Sequence, residues 1–199
     1  LWPSTQALIK VVRSGALGRV LHIEGHYSNE NSSKHFSQWR ADPRETPGAG
    51  MTGTGMHLLD AFVGIGGPVA EVTARVITHR AGPDPRDAAS VMFRFVSNVS
   101  GYFGLVRASP IYWRVHVFGD EGSVESLGEA EVVVRSRGGK AERREFPKVD
   151  SILAEMDAFA DAVAGRAPYP ITPVEMVNTI AAFEAIIQSM ETDRPVSIA

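Results

Sequence analysis

The chain has 199 residues, 44% of them hydrophobic and 22% charged, with a formal net charge of −3 and no cysteine. That balance suits one globular domain with a real core, and the weak negative charge gives no pull toward nucleic acid or an anionic membrane surface. No apolar run reaches the ~20 residues of a membrane-spanning helix, and the absence of cysteine removes disulfides, thiolate metal sites and cysteine nucleophiles.

The chain opens Leu1-Trp2-Pro3 without a methionine, and the expectation is a domain separated from something upstream. Residues 3–14, PSTQALIKVVRS, predict a short helix: Pro3 suits a first-turn position, Leu8, Val11 and Val12 form a stripe, and Gly15 and Gly18 close it. RVLHIEGHYSN, residues 19–29, alternates as a strand does. A long irregular stretch from Glu30 to Gly50 carries SQWRADPRETPGAG, and loops of that length are often functional.

Residues 54–64 predict a helix, and strand-like runs then follow at 69–79, 89–97, 100–109, 112–119, 122–128, 131–137 and 141–147. Consecutive strands without intervening helices imply an antiparallel meander. Two helices close the chain. The first places Ile152, Met156, Phe159 and Val163 on one stripe. The second opens TPVE, with Thr172 as N-cap, Pro173 at the first helical position and Glu175 completing a capping box, ahead of a stripe of Met176, Ile180, Phe183, Ile187 and Met190. Both stripes predict core contacts. The fold class is α+β: a large, mainly antiparallel open sheet with helices packed on one face. VMFRFV and YFGLV are apolar on both sides of their strands, so the other face is expected to meet a second copy of the chain.

The run GAGMTGTGMHLLD, residues 48–60, turns from glycines into an apolar helix. Gly48 to Gly53 fits the spacing G-x-G-x-x-G, but no strand precedes it, no parallel βαβ unit follows, and no lysine follows the last glycine; a phosphate loop is therefore not the expectation. Thr54, His57 and Asp60 are three apart and share one helix face. A histidine beside a carboxylate serves either as a proton shuttle near neutral pH or as a structural hydrogen-bonding group. His22 and His26 share a strand face without a third ligand, so no metal site is expected. Arg75, Arg94, Arg107 and Arg135 lie in strands and predict a solvated or subunit-contacting sheet face. No G-x-S-x-G nucleophile elbow is present.

The order SGALGRVLHIEG, WRADP, GTGMHLLDAF, FGDEGSV and ITPVEMVNTIAAFEAIIQS resembles the C-terminal domain of the Gfo/Idh/MocA oxidoreductases from Pro3 to Ile198. The resemblance implies a single C-terminal substrate-binding and oligomerisation domain over residues 1–199, with the N-terminal Rossmann domain that binds NAD or NADP absent from this chain. It implies an enzyme, when full length, that oxidises a CH–OH group of a sugar, polyol or related compound, while this fragment alone is inactive and binds no cofactor. The family motif runs roughly D-x-G-x-H-x-x-D. Gly55, His57 and Asp60 match its last three fixed positions, and Gly53 stands where the family places an aspartate. By resemblance His57 is the catalytic residue. Trp39 and Arg40 match a recurrent WR pair and, with Thr54 and Asp60, are the substrate-binding candidates. The implied partners are a small sugar or polyol and a second copy of the chain, with no nucleic acid and no membrane, in the cytoplasm. Two other readings stay open: a stand-alone dimerisation or sugar-binding module, and a member performing redox-neutral chemistry.

Overall fold

The computed structural model describes residues 2–30, 44, 48, 51–78, 86–107 and 109–198, with the backbone alone at 54, 78, 86 and 87. The elements run α1 (Pro3–Arg13), β1 (Val20–Ser28), a π-helical turn (Met51–Gly55), α2 (Met56–Gly66), β2 (Val69–Thr78), β3 (Arg86–Phe95), β4 (Ser100–Val106), β5 (Tyr112–Gly119), β6 (Gly122–Leu127), β7 (Glu131–Ser136), β8 (Glu142–Glu145), α3 (Ser151–Val163), α4 (Pro173–Thr192) and β9 (Val196–Ser197). The α+β class and every expected strand are present. Among the described residues, no helix is long and apolar enough to cross a membrane.

The nine strands form one sheet in the order β8-β7-β6-β5-β1-β4-β3-β2-β9. This corrects the simple meander at one place. β1 lies between two runs of consecutive strands, antiparallel to β5 and parallel to β4, with His22 opposite Ser100 and Ser28 opposite Val106. The first strand thus becomes the middle of the sheet, where both edges are paired.

Alternation sends Ile23 and Gly25 of β1, Phe103 and Leu105 of β4, and Val91, Phe93 and Phe95 of β3 toward α2, all buried. Phe62 of α2 sits on this layer, its ring centroid 5.4 Å from those of Phe93 and Phe103. A Cβ on residue 25 would lie 2.8 Å from the Phe62 ring, so Gly25 lets α2 press onto β1. Burying such rings contributes ~1.5–3 kcal/mol each. At the other end of the sheet α1 is pinned by Ser4, whose Oγ donates to the Gly128 carbonyl at 2.8 Å, and by Trp2 edge-on to Trp113 at 4.9 Å.

The opposite face of β3 and β4 is less apolar than the sequence suggests: Ser90, Met92 and Arg94 point outward from β3, and Tyr102 from β4. On β2 the outward Arg75 pairs with Asp193, and Arg94 lies 3.6 Å from Glu71. Arg107, by contrast, is buried.

The C-terminal helices depart from expectation in how they pack. α4 carries its capping box: Thr172 Oγ1 accepts from the Glu175 amide at 3.2 Å and Glu175 Oε2 accepts from the Thr172 amide at 2.7 Å. Its fully buried face is Thr179, Ala182, Ala185, Ile186 and Ser189; of the expected stripe, Phe183 and Met190 pack partly against the core, while Met176 and Ile180 are exposed. Small residues win because they bring the helix close to β2, where Ser189 Oγ accepts from the Ala74 amide at 2.8 Å and donates to the Arg194 carbonyl at 2.6 Å. α3, all of whose residues are described, has none buried; Ile152, Met156, Phe159 and Val163 are 56–75% exposed, so the core stripe expected there is overturned.

Candidate active site

The glycine-rich run enters α2 through a π-helical turn, Met51–Gly55. Such a turn adds one residue to a helical loop and re-aims the side chains that follow. Met51 is fully buried, and a Cβ on residue 55 would lie 2.5 Å from its sulfur and 2.8 Å from Leu105 Cδ1. Gly55 is therefore required by the close approach of the turn to β4. Leu58, Leu59 and Phe62 then anchor α2 in the core, which leaves His57 exposed in the first turn and Asp60 half-buried one turn on.

The carboxyl of Asp60 is pushed above the usual aspartate range, chiefly by burial and then by Glu175, with Glu155 adding and the His57 imidazole opposing. Three elements thus converge on one spot: the start of α2, the middle of α3 through Glu155 and the first turn of α4 through Glu175. Tyr169, in the α3–α4 connection, joins them. Its hydroxyl donates to Glu155 Oε1 at 3.4 Å, its ring meets Phe159 edge-on at 6.2 Å, and burial together with Glu155 and Asp60 raises its hydroxyl above the ordinary value. An exposed imidazole beside Asp60, with two further carboxyls and a phenol acting around Asp60, offers a group able to accept a proton and several able to hydrogen-bond a polyhydroxy ligand.

His57 and Asp60 lie about one helical turn apart at the start of α2, where the imidazole acts electrostatically on the Asp60 carboxyl. The backbone of Thr54 lies in the π-helical turn just before them. Trp39 and Arg40 lie outside the described residues. At Gly53 an added Cβ would meet nothing within 4 Å among the described residues, so the missing carboxylate has no steric cause. Sequence reasoning did not single out Glu155 or Tyr169, and gave Glu175 a capping role alone. The proximity of Asp60 to α3 and α4 is a long-range packing result with no local pattern.

A second polar group, also unforeseen, lies on the outward sheet face. Glu125 of β6 accepts from Arg114 Nε at 2.6 Å and Arg135 Nη2 at 3.0 Å, and Arg114 Nη1 donates to Glu24 at 3.0 Å. Burial opposes ionisation of Glu125, but these hydrogen bonds win and hold its carboxyl below the usual range. His26, beside Ser28 Oγ at 2.5 Å, is lowered by burial and by Arg114. Ion pairing of this kind satisfies the partly buried carboxylates and guanidinium groups of this row.

Residues 5–125 match the family model described as the GFO/IDH/MocA C-terminal domain. An uncharacterized oxidoreductase of Schizosaccharomyces pombe is 36% identical over 75 residues, which is 37% of this chain and 20% of that protein. Levoglucosan dehydrogenase, solved with NADH and levoglucosan, superposes with a TM-score of 0.83 at 18% identity, over 98% of this chain and 63% of its own. An oxidoreductase of Agrobacterium radiobacter, solved with NAD+, L-tartaric acid and magnesium, gives a TM-score of 0.77 at 20% identity, over 99% of this chain and 62% of its own. At those identities the likeness is one of fold. The chain spans less than two thirds of the length of each of these proteins.

Proposed function

We propose, from the premise that this chain belongs to the GFO/IDH/MocA C-terminal domain family, that it forms the substrate side of an NAD(P)-dependent oxidoreductase acting on a CH–OH group of a sugar, polyol or related compound. The observation that carries this reading is the exposed His57 with Asp60 behind it, at the start of a helix whose other residues are locked in the core. Solved relatives that share the fold hold NADH with levoglucosan and NAD+ with L-tartaric acid, polyhydroxy molecules that suit such a rim.

The reading expects the isolated chain to show no NAD(P) binding and no turnover, which titration and assay of the 199-residue chain would test. Oxidation of an alcohol sends a hydride to the nicotinamide and a proton to a base. This chain supplies the second part: His57 takes the hydroxyl proton as the C–O bond becomes a carbonyl. Asp60, which keeps its own proton to higher pH than an exposed aspartate, orients the imidazole. Glu155, Glu175 and Tyr169 offer acceptors and a donor to neighbouring hydroxyls. The outward sheet face, with Met92 57% and Tyr102 43% exposed, serves for contact with a second copy, and light scattering that finds a monomer at high concentration would exclude this. The cysteine-free composition supports a cytoplasmic setting.

The decisive test is His57→Ala in the active enzyme, assayed against a panel of polyols and sugars. Loss of a general base should cut turnover by ~10²–10⁴, and an unchanged rate would return His57 to a structural role.

A further inference from the structure

An aromatic row crosses the end of the sheet beneath the start of α2. Tyr27, the next inward residue after Gly25 on β1, stands beside Leu105 of β4 on one side and Trp113 of β5 on the other. Leu105 is a residue on which Gly55 seats, two positions before His57, so Tyr27 lies one strand away from the anchor of that turn. Trp113 is buried, and the rings of Trp2 and Tyr27 are turned 90° and 76° to its plane, their centroids 4.9 and 5.4 Å from its own. Each is braced a second time. Trp2 leads into α1, where Ser4 bonds the Gly128 and Glu129 carbonyls, and the Tyr27 hydroxyl accepts from Asn29 Nδ2 at 3.4 Å. Rings placed to fill a core are covered, as Phe62, Phe93 and Phe103 are one step along the sheet. Trp2 and Tyr27 are only half-buried.

We propose that Trp2 and Tyr27 form an aromatic wall of the substrate site, and that this wall selects ring-closed substrates, pyranoses or cyclitols, over open-chain polyols. The proposal rests on the function given above. A ring-closed sugar is two-sided: its hydroxyls lie around the rim, and its axial C–H bonds make an apolar face. Partly exposed aromatic rings bury that face, the weakly positive hydrogens meeting the negative π surface, while the rim presents the reacting hydroxyl to His57. A small-molecule site of this kind combines apolar and aromatic walls with a few placed polar groups. An open-chain polyol has no fixed apolar face. It must freeze several C–C rotors to imitate one, and that ordering costs affinity. Trp2 and Tyr27, held by Trp113 and by their own second contacts, lose little freedom when a ring packs on them.

Titration calorimetry on the polypeptide as its gene encodes it tests this without turnover, with pyranosides and cyclitols each set against open-chain hexitols. The tightest ring-closed probe should bind roughly tenfold or more tighter than the hexitols. Tyr27→Leu and Trp2→Leu should each erase most of that preference by weakening the ring-closed probe alone, and Tyr27→Phe, which keeps the aromatic face, should preserve it. Hexitols that bind the native enzyme as tightly as the rings overturn the proposal. So does a preference that survives both leucine variants, and so does a failure of every probe to bind. Thermal melts by circular dichroism identify a leucine variant that does not fold, and the native comparison decides without it. The wall and the base are separable. A ring preference lost in the leucine variants of an enzyme indifferent to His57→Ala keeps the wall and discards the base; turnover lost in His57→Ala with equal affinity for rings and hexitols keeps the base and discards the wall.

Discussion

Acidification should destabilise this fold through the buried imidazole of His116, with His26, also lowered, adding loss of the same sign. His116 is 7% exposed, and its Nδ1 lies 2.8 Å from an Arg114 guanidinium nitrogen. Guanidinium only donates, so Nδ1 accepts and the ring proton sits on Nε2, which has no partner among the described residues. Burial is the largest influence on this ring; Glu125 opposes it, Arg114 and Arg135 reinforce it, and the pKa falls from 6.5 to about 4. Above the higher value the ring is neutral in both states and contributes nothing to the pH dependence. Between the two values the unfolded chain binds a proton that the folded chain refuses, so stability falls with falling pH by about 1.4 kcal/mol per unit and levels off below the folded value. Over that window the loss is on the order of 3 kcal/mol, a large share of the ~5–15 kcal/mol that holds a domain together. Glu125, held below its ordinary range, adds loss of the same sign at still lower pH. The measurement is urea unfolding from about pH 8 to about pH 4 on the native chain and on His116→Gln, whose amide oxygen accepts from Arg114 without titrating. The native chain's stability relative to the variant should drop by about 3 kcal/mol across the range. Parallel curves would show that His116 titrates normally when folded, and the reasoning from burial and Arg114 would be wrong.

Glu125→Gln should cost about 2–3 kcal/mol in urea unfolding, less than a fully buried pair, because Arg135 is 43% exposed and Glu24 remains on Arg114. A change below about 0.5 kcal/mol would mean that the network is merely a surface arrangement. Gly55→Ala should cost about 1–3 kcal/mol, since its Cβ must displace Met51 and Leu105 from a packed core, whereas Gly53→Ala, with open space around it, should stay within about 0.5 kcal/mol; equal effects in thermal melts would refute the close approach at Gly55. For Asp60 the folded pKa is raised, so the unfavourable contribution is present at neutral pH and vanishes below the unfolded value. Asp60→Asn should therefore raise the melting temperature near pH 7 and lose that gain near pH 3.

The strands were legible because alternation with period two is a local signal, and the α4 cap because S/T-x-x-E is a local motif. The place of β1 was not. Nothing in RVLHIEGHYSN says that its partners lie at 100–106 and 112–119, since pairing of distant segments is settled by the packing of the whole sheet and not by a strand's own residues. The Glu125 network escaped for the same reason. Glu24, His116 and Glu125 fall on one cross-strand row only once β1, β5 and β6 are in register. In α4 the apolar residues run nearly all round, so periodicity offered a stripe of which Phe183 and Met190 reach the core, while close approach to β2 added a face of small residues it did not single out. α3 is the opposite case: its periodicity correctly revealed a face that needs cover, but a hydrophobic stripe carries no information about which surface covers it.

That distinction bears on the site. Spacing put His57 and Asp60 on one helix face and left their role open; the catalytic role of His57, like the significance of Gly55, came from the resemblance. Gly55 has no side chain because the turn rides on Met51 and Leu105, and this tight seating fixes the first turn of α2 in space. The base proposed at His57 would be positioned by the core, with little freedom lost on binding. The other half of the site has no such anchor. Glu155 lies on a helix whose apolar stripe is exposed, and Tyr169 lies in the connection that follows it. Substitutions on the outer stripe of α3 should therefore weaken substrate affinity before they weaken the fold, and a variant such as Phe159→Ser should raise KM while leaving the unfolding free energy of the domain within about 0.5 kcal/mol. If Phe159→Ser instead destabilises the domain by as much as a core truncation, ~3–5 kcal/mol, α3 packs inward in solution.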